Sequence, residues 1–201
     1  MEDSISIHES RRRAPLHFWV RAENAHFAAY SLWLASSQAQ DAAAERIDYH
    51  GSTQIALLES FRREAALALE LAIKAVIAQR IENGTSLPCV TRVRPVHDLP
   101  ELWREAQLPI LPKADRGRLI HAKHILLWTG RYPAPNKDEQ YETMTAEEQP
   151  YEEVFGTLGR FTLRTRPSFT WDDFDRIFQA TRTAIWELIP CIDDDGFLIR
   201  R

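Results

Sequence analysis

The longest hydrophobic pattern in the chain runs from about Ser52 to Asn83 and predicts a central helix. This stretch has no Pro and no internal Gly, and Asn83-Gly84 is a typical C-terminal stop. Two adjacent apolar stripes lie along it: Ile55, Leu58, Ala65, Leu69, Ala72 and Val76 form one, and Leu57, Phe61, Ala68, Leu71 and Ala75 form the other. A helix that is apolar over so wide an arc must be covered by two or more neighbours, as in a helical bundle.

Four other apolar patterns predict helices that surround this one. They begin near Pro15, after the capping residue Asp98, after the capping residue Asp115 (over about 116–129), and after Thr170. The five helices are not interleaved with strands in a βαβ order, and no repeat is visible. The sequence therefore predicts an all-α fold, an antiparallel bundle of four to five helices.

Polar segments divide the chain around this bundle. We expect a flexible N-terminal tail over 1–13, the helical bundle over 14–133, an acidic and largely irregular insert over 134–169, a C-terminal helix that packs on the bundle over 170–190, and a tail over 191–201. Alternating residues between Phe161 and Phe169 allow one short strand or hairpin. The sequence leaves open whether the acidic insert folds back on the bundle.

Composition agrees with an ordinary globular domain. The chain has 201 residues, of which 44% are hydrophobic and 27% charged, and a net charge of −4 argues against bulk nucleic-acid binding through an all-basic surface. No apolar run is long enough to span a bilayer, and the N-terminus lacks a secretory signal, so we expect no membrane association. The two cysteines, Cys89 and Cys191, are too far apart for a CxxC site, and the expected location is the cytoplasm.

The sequence contains none of the familiar nucleotide, hydrolase or metalloprotease motifs. It lacks GxxxxGK[ST], GxGxxG after a strand, GxSxG and HExxH. His121 and His124 lie three residues apart and share a helix face, but two imidazoles are an incomplete zinc site. With no third ligand evident, we expect no metal and no cofactor.

One basic cluster carries the chemistry needed for RNA cleavage. A histidine such as His121 can take a proton from a 2′-hydroxyl and return it to a leaving oxygen. Arginines such as Arg116 and Arg118 can hold a phosphate through two-pronged contacts. Spacing alone favours the simpler interpretation, in which these are surface residues at the start of a helix with Arg118 and His121 as helical neighbours.

A charged pair lies within the most apolar part of the central helix. Glu70 and Lys74 are four residues apart in the favourable order. If both are buried they must be paired, because an isolated buried charge is too costly. We interpret them as a structural ion pair rather than as an acid/base couple.

Three short sequences together resemble a known family. They are EAALALELAIKA at 64–75, HDLPEL at 97–102 and RYP at 131–133. In this order and spacing they resemble HEPN domains (higher eukaryotes and prokaryotes nucleotide-binding), and the likeness covers about residues 15–135. The acidic insert and the last helix fall outside it.

This resemblance implies a HEPN-like helical bundle that forms a homodimer. Many HEPN domains are metal-independent endoribonucleases of toxin–antitoxin or defence systems, with an Arg-x(4–6)-His motif at the dimer interface. Carried over, the resemblance assigns Arg116 and His121 as the catalytic pair. The residue after the family arginine is usually Asn, Asp or His, whereas this chain has Gly117. The two motif residues also lie about 140° apart on an ideal helix.

Other members of the family bind nucleotides or RNA without cleaving them. In that case Arg94, Arg116, Arg118 and Arg131 would line a phosphate-holding groove together with His124, and Tyr132 would stack on a base. A third alternative is a non-catalytic bundle that holds another protein, such as a minimal nucleotidyltransferase or an antitoxin.

Overall fold

The computed structural model describes residues 7–35, 37–85, 91–129, 135, 137–189, 191–192 and 198–199. The chain is mostly helical, which confirms a helical fold at this coarse level. The helices are α1 (Ile7–Arg13), α2 (Pro15–Leu34), α3 (Ser37–Arg46), α4 (Thr53–Glu82), α5 (Leu99–Glu105), α6 (Lys113–His124), α7 (Asp138–Glu148) and α8 (Trp171–Leu188). A π-helical turn (Ile125–Thr129) extends α6, and a 3₁₀ turn (Gln149–Tyr151) extends α7.

The strands form two small antiparallel hairpins. β1 (Glu153–Leu158) pairs with β2 (Phe161–Thr165), and β3 (Cys191–Ile192) pairs with β4 (Leu198–Ile199). Gly159 has a φ of +57° in the two-residue turn between β1 and β2, a conformation that glycine adopts without strain. The first hairpin lies between α7 and α8 in the chain, and the residues of its strands are mostly exposed.

Helix α4 lies at the centre, as its two apolar stripes predict. Ser52 caps it by accepting a hydrogen bond from the Ile55 amide, and Asn83 is its C-cap. Helix α2 packs along α4, and α8, α5 and α6 cover its other sides. The interfaces are built from small and aromatic side chains, among them Ala22, Ala29, Ala65, Ala72, Phe61, Phe174 and Phe178, all at most 1% exposed. This core fixes the position of α6, which carries the predicted site.

Within the residues described, none of the helices combines the length and apolar character needed to cross a bilayer.

Two segments expected to lack regular structure contain helices. In the predicted tail, 7–13 form α1, and the Ala14 amide donates to the Ser10 carbonyl where α1 meets α2. In the predicted irregular insert, 138–148 form α7, whose first turn carries Asp138 and Glu139. Carboxylates in the first turn stabilise a helix through its dipole, so a run of acidic residues is compatible with helix formation.

The start of α6 also differs from the expectation. Pro112 rather than Asp115 occupies the N-cap position, and α6 begins at Lys113. Asp115 instead lies in the first turn, 2% exposed, and accepts hydrogen bonds from Arg118 and Arg176. Its carboxylate therefore joins α6 to α8 instead of capping a helix.

Candidate anion-binding site

Arg118, predicted to bind phosphate, is fully engaged inside the protein. Its guanidinium lies 2.7 Å from Asp115 Oδ1 and 2.8 Å from Asp173 Oδ1. Its Nε donates to the Ser168 carbonyl at 2.7 Å, and the residue is only 8% exposed. The prediction that Arg118 binds substrate therefore needs correction: this side chain holds α6 against the start of α8.

Arg94 and His124 are likewise occupied by carboxylates. Arg94 Nη2 lies 2.9 Å from Glu101 and 2.6 Å from Glu105. Both ring nitrogens of His124 lie 2.8 Å from a carboxylate, Nδ1 from Glu148 and Nε2 from Glu147. Both residues are therefore bound by carboxylates of this chain, His124 inside the protein and Arg94 at its partly exposed surface, contrary to the predicted phosphate groove. Arg131 and Tyr132 lie outside the residues that the structure describes.

Arg116 and His121 do not face a common pocket. Arg116 is exposed, with its guanidinium 5.9 Å from the centre of the Tyr151 ring. Between them lies Gly117, where an added Cβ would come within 2.7 Å of the Tyr151 Cβ and 3.2 Å of Pro167. The chain thus crosses α6 closely at Gly117, which separates the flank that carries Arg116 from the flank that carries His121.

His121 lines a polar pocket of about 480 Å³ whose other walls come from distant parts of the chain. Arg62 enters it from α4, Arg164 from β2, and Arg166 from the segment that follows β2. The remaining lining residues are Glu152, Thr165, Pro167, Ser168 and Phe169. We call this space the arginine pocket.

The cations of the arginine pocket are incompletely paired. Arg62 Nε is enclosed and has no hydrogen-bond partner, and neither Arg62 nor Arg164 forms an ion pair with any residue that the structure describes. Burial, and then the charge of Arg166, lowers the pKa of Arg62. Two guanidiniums that repel each other in a half-buried space create a site that an anion would stabilise.

Glu148 connects His121 to this pocket. It is 5% exposed, and its Oε2 lies 2.5 Å from Arg166 Nε. Its Oε1 lies 2.8 Å from His124 Nδ1 and 3.5 Å from His121 Nδ1, the latter an ion-pair contact longer than a hydrogen bond. His121 therefore turns Nδ1 towards a carboxylate, while its Nε2 makes no hydrogen bond to any described residue.

The free energy of unfolding should depend on the ionisation of Glu148 at acidic pH. Burial raises its pKa, but the imidazoles of His121 and His124 and the charge of Arg166 outweigh that effect and lower the pKa to about 2 from 4.5. Because the folded-state pKa lies below the unfolded one, the stabilisation is complete above about pH 5 and is lost as the pH falls towards 2. We expect this loss to be about 3 kcal/mol in urea unfolding.

The Glu148→Gln variant should lack this part of the pH dependence. Glu142→Gln, on the exposed face of the same helix, is the matched control and should follow the wild-type profile. Parallel profiles for wild type and Glu148→Gln between pH 5 and 2 would contradict the assignment.

Glu70 and Lys74 lie in contact inside α4. Lys74 Nζ is 2.5 Å from Glu70 Oε1, and the two residues are 6% and 4% exposed. Glu70 Oε2 also lies 2.7 Å from His97 Nδ1. Among the described residues, no group of three or more His, Cys, Asp or Glu side chains is arranged to hold a metal ion.

Sequence reasoning identified His121 but missed Arg62, Arg164, Arg166 and Glu148. The one available signal was Arg164-Thr165-Arg166, in which two arginines alternate on a segment that follows an acidic run. Arg62 sits beside the buried Phe61 and gives no signal of its own.

The chain matches no known family model, no characterised protein and no solved structure. Its function must therefore be argued from its own residues.

Proposed function

We propose that this protein binds a phosphodiester of RNA in the arginine pocket and cleaves the strand without a metal ion, with His121 moving the proton. The observation that carries the proposal is the convergence of Arg62, Arg164 and Arg166 on the same pocket as His121. Guanidiniums of which two, Arg62 and Arg164, form no ion pair with a described residue supply phosphate recognition, and an imidazole whose Nδ1 faces the Glu148 carboxylate at 3.5 Å supplies acid–base chemistry.

The charges of the pocket match a single phosphodiester. Arg62, Arg164 and Arg166 contribute three positive charges, whereas Glu148 and Glu152 contribute two negative ones. Among the residues that line the pocket, arginines outnumber carboxylates, which favours an anion of low charge such as one phosphodiester. A nucleoside triphosphate would bring an excess of negative charge, so a strand that presents one phosphate to the pocket fits best.

The chemistry follows from the position of His121. Its Nε2 takes the proton of the ribose 2′-hydroxyl, whose oxygen then attacks phosphorus. The bond from phosphorus to the 5′-oxygen breaks, and His121 returns the proton to that oxygen. The products are a 2′,3′-cyclic phosphate and a 5′-hydroxyl end. The guanidiniums of Arg62 and Arg166 stabilise the additional negative charge that develops on the phosphate oxygens.

We further propose that the chain is a HEPN-like protein of a toxin or defence system. Support comes from the helical fold and from an Arg-x4-His spacing on α6, whose histidine lines the pocket. In this proposal Arg62 and Arg166 take the phosphate-holding role that the family motif gives to Arg116. Association into a homodimer, or with a nucleotidyltransferase or antitoxin, remains a prediction.

RNA binding tests the first half of the proposal. A six-nucleotide 2′-O-methyl RNA cannot be cleaved by this chemistry, so it measures affinity alone. We expect Arg62→Gln to weaken its binding about tenfold, since a charge-assisted hydrogen bond is lost. The slope of the logarithm of the binding constant against the logarithm of the salt concentration should become shallower by about 0.7, as expected when one phosphate contact to a single strand is lost.

Arg63→Gln is the matched control for this variant. Arg63 is the exposed neighbour of Arg62 on α4 and does not line the pocket, so its replacement should leave affinity almost unchanged. Equal effects of the two variants would overturn the assignment of the arginine pocket.

The second half of the proposal, cleavage, is tested with unmodified RNA in the presence of EDTA. The expected result is cleavage that leaves cyclic-phosphate ends.

A further inference from the structure

A second cleft lies on the other flank of α6 and differs in chemistry from the arginine pocket. It encloses about 290 Å³ between α5, α6 and the 3₁₀ turn after α7, and is lined mainly by Trp103, Leu108, Leu119, Ile120 and Tyr151. Trp103 Nε1 already donates to the Pro109 carbonyl at 2.8 Å, so the indole presents apolar surface to the cleft. We call this space the apolar cleft.

The charges around the apolar cleft favour an anionic strand. Its described lining residues include Arg104 and Arg116 and no carboxylate. Arg104 lies 3.7 Å from Glu101, whereas Arg116 forms no ion pair with any described residue and stands 5.9 Å from the centre of the Tyr151 ring. An aromatic ring beside a guanidinium is a platform on which proteins stack unpaired bases.

The two sites are joined through one peptide bond. Tyr151 lines the apolar cleft and Glu152 lines the arginine pocket, at the place where the chain crosses α6 over Gly117. Because adjacent residues of the chain line the two sites, we infer that one single strand can occupy both, with a phosphate in the arginine pocket and a neighbouring nucleotide at the apolar cleft. The cleft volume is at the lower end of the range for small-molecule sites and suits one ring system.

We propose that the apolar cleft binds a nucleobase of the RNA strand whose phosphate occupies the arginine pocket. This inference rests on the proposed function and extends it: the ligand is single-stranded RNA of at least two nucleotides, and Arg116 belongs to the base platform rather than to the scissile phosphate.

The test compares two six-unit oligomers of equal charge, a 2′-O-methyl RNA and an abasic phosphodiester that carries no bases. Wild-type protein should bind the base-bearing oligomer roughly tenfold more tightly than the abasic one. Tyr151→Leu keeps the Cβ that packs at Gly117 and removes the ring, so it should abolish most of this preference. Arg62→Gln should weaken the binding of both oligomers by the same factor and leave the preference for the base-bearing oligomer unchanged.

Two further variants keep the result interpretable. Arg116→Gln, at an exposed position where folding is not at risk, should reduce the preference at least threefold. Tyr141→Leu, an exposed tyrosine on α7 that does not line the cleft, should leave it unchanged. Equal wild-type affinity for the two oligomers, or an unchanged preference in Tyr151→Leu and Arg116→Gln, would overturn the base site while the arginine pocket stands. Failure of both oligomers to bind would overturn the proposed function and the base site together.

Discussion

His121→Ala is expected to lower the rate of RNA cleavage by at least about 100-fold, because a general acid–base group contributes two to four orders of magnitude. Affinity for the 2′-O-methyl RNA should change by less than about threefold, since the guanidiniums that hold the phosphate remain. The measurement is single-turnover cleavage of a labelled RNA in EDTA, with the cyclic-phosphate end identified by mass spectrometry.

His50→Ala provides the control for the loss of an imidazole. The His50 side chain is 83% exposed and does not line the pocket, so its variant should cleave at the wild-type rate. If His121→Ala cleaves as fast as wild type, the proton is moved by another group and the catalytic half of the proposal falls. If His121→Ala loses binding and cleavage in parallel, His121 holds the phosphate instead.

The elements that the sequence predicts well are those determined by neighbouring residues. The central helix was expected over Ser52 to Asn83 and is observed over Thr53–Glu82, because its apolar stripes and its caps are local features. The start of α8 is likewise local: Thr170 and Asp173 form a reciprocal capping box. Helix α7 was not predicted, because a run of acidic residues by itself indicates an irregular, solvent-exposed segment, and the residues that pack against it are not evident from the sequence.

The site was only partly predictable, because its residues meet through tertiary packing. Arg62 and Arg166 are separated by about a hundred positions in the sequence, and nothing local to either one marks it as a pocket residue. The expectation that Arg118 faces solvent failed for the same reason, since one of its carboxylate partners, Asp173, comes from α8. A basic residue on a helix can be assigned to a ligand only after the acids packed against it are known.

The folded state should be most sensitive to the loss of Glu70. Glu70→Leu removes the only carboxylate that contacts Lys74 among the residues described, and it leaves a charged lysine, 6% exposed as a residue, in the centre of the bundle. Breaking a buried pair from one side costs about 3–5 kcal/mol, because the remaining charge loses its partner without regaining water. The expected result is a decrease of this size in the free energy of unfolding, measured by urea denaturation.

The double variant separates the cost of the unpaired charge from the value of the pair itself. Glu70→Leu with Lys74→Met replaces both ions by side chains of similar volume, so it should recover most of the stability that the single variant loses. The exposed Arg104–Glu101 pair is the control, and Arg104→Met should change stability by less than about 1 kcal/mol. A single Glu70→Leu variant as stable as Arg104→Met would mean that Lys74 reaches solvent in the folded state, and that the central position of α4 in the bundle needs revision.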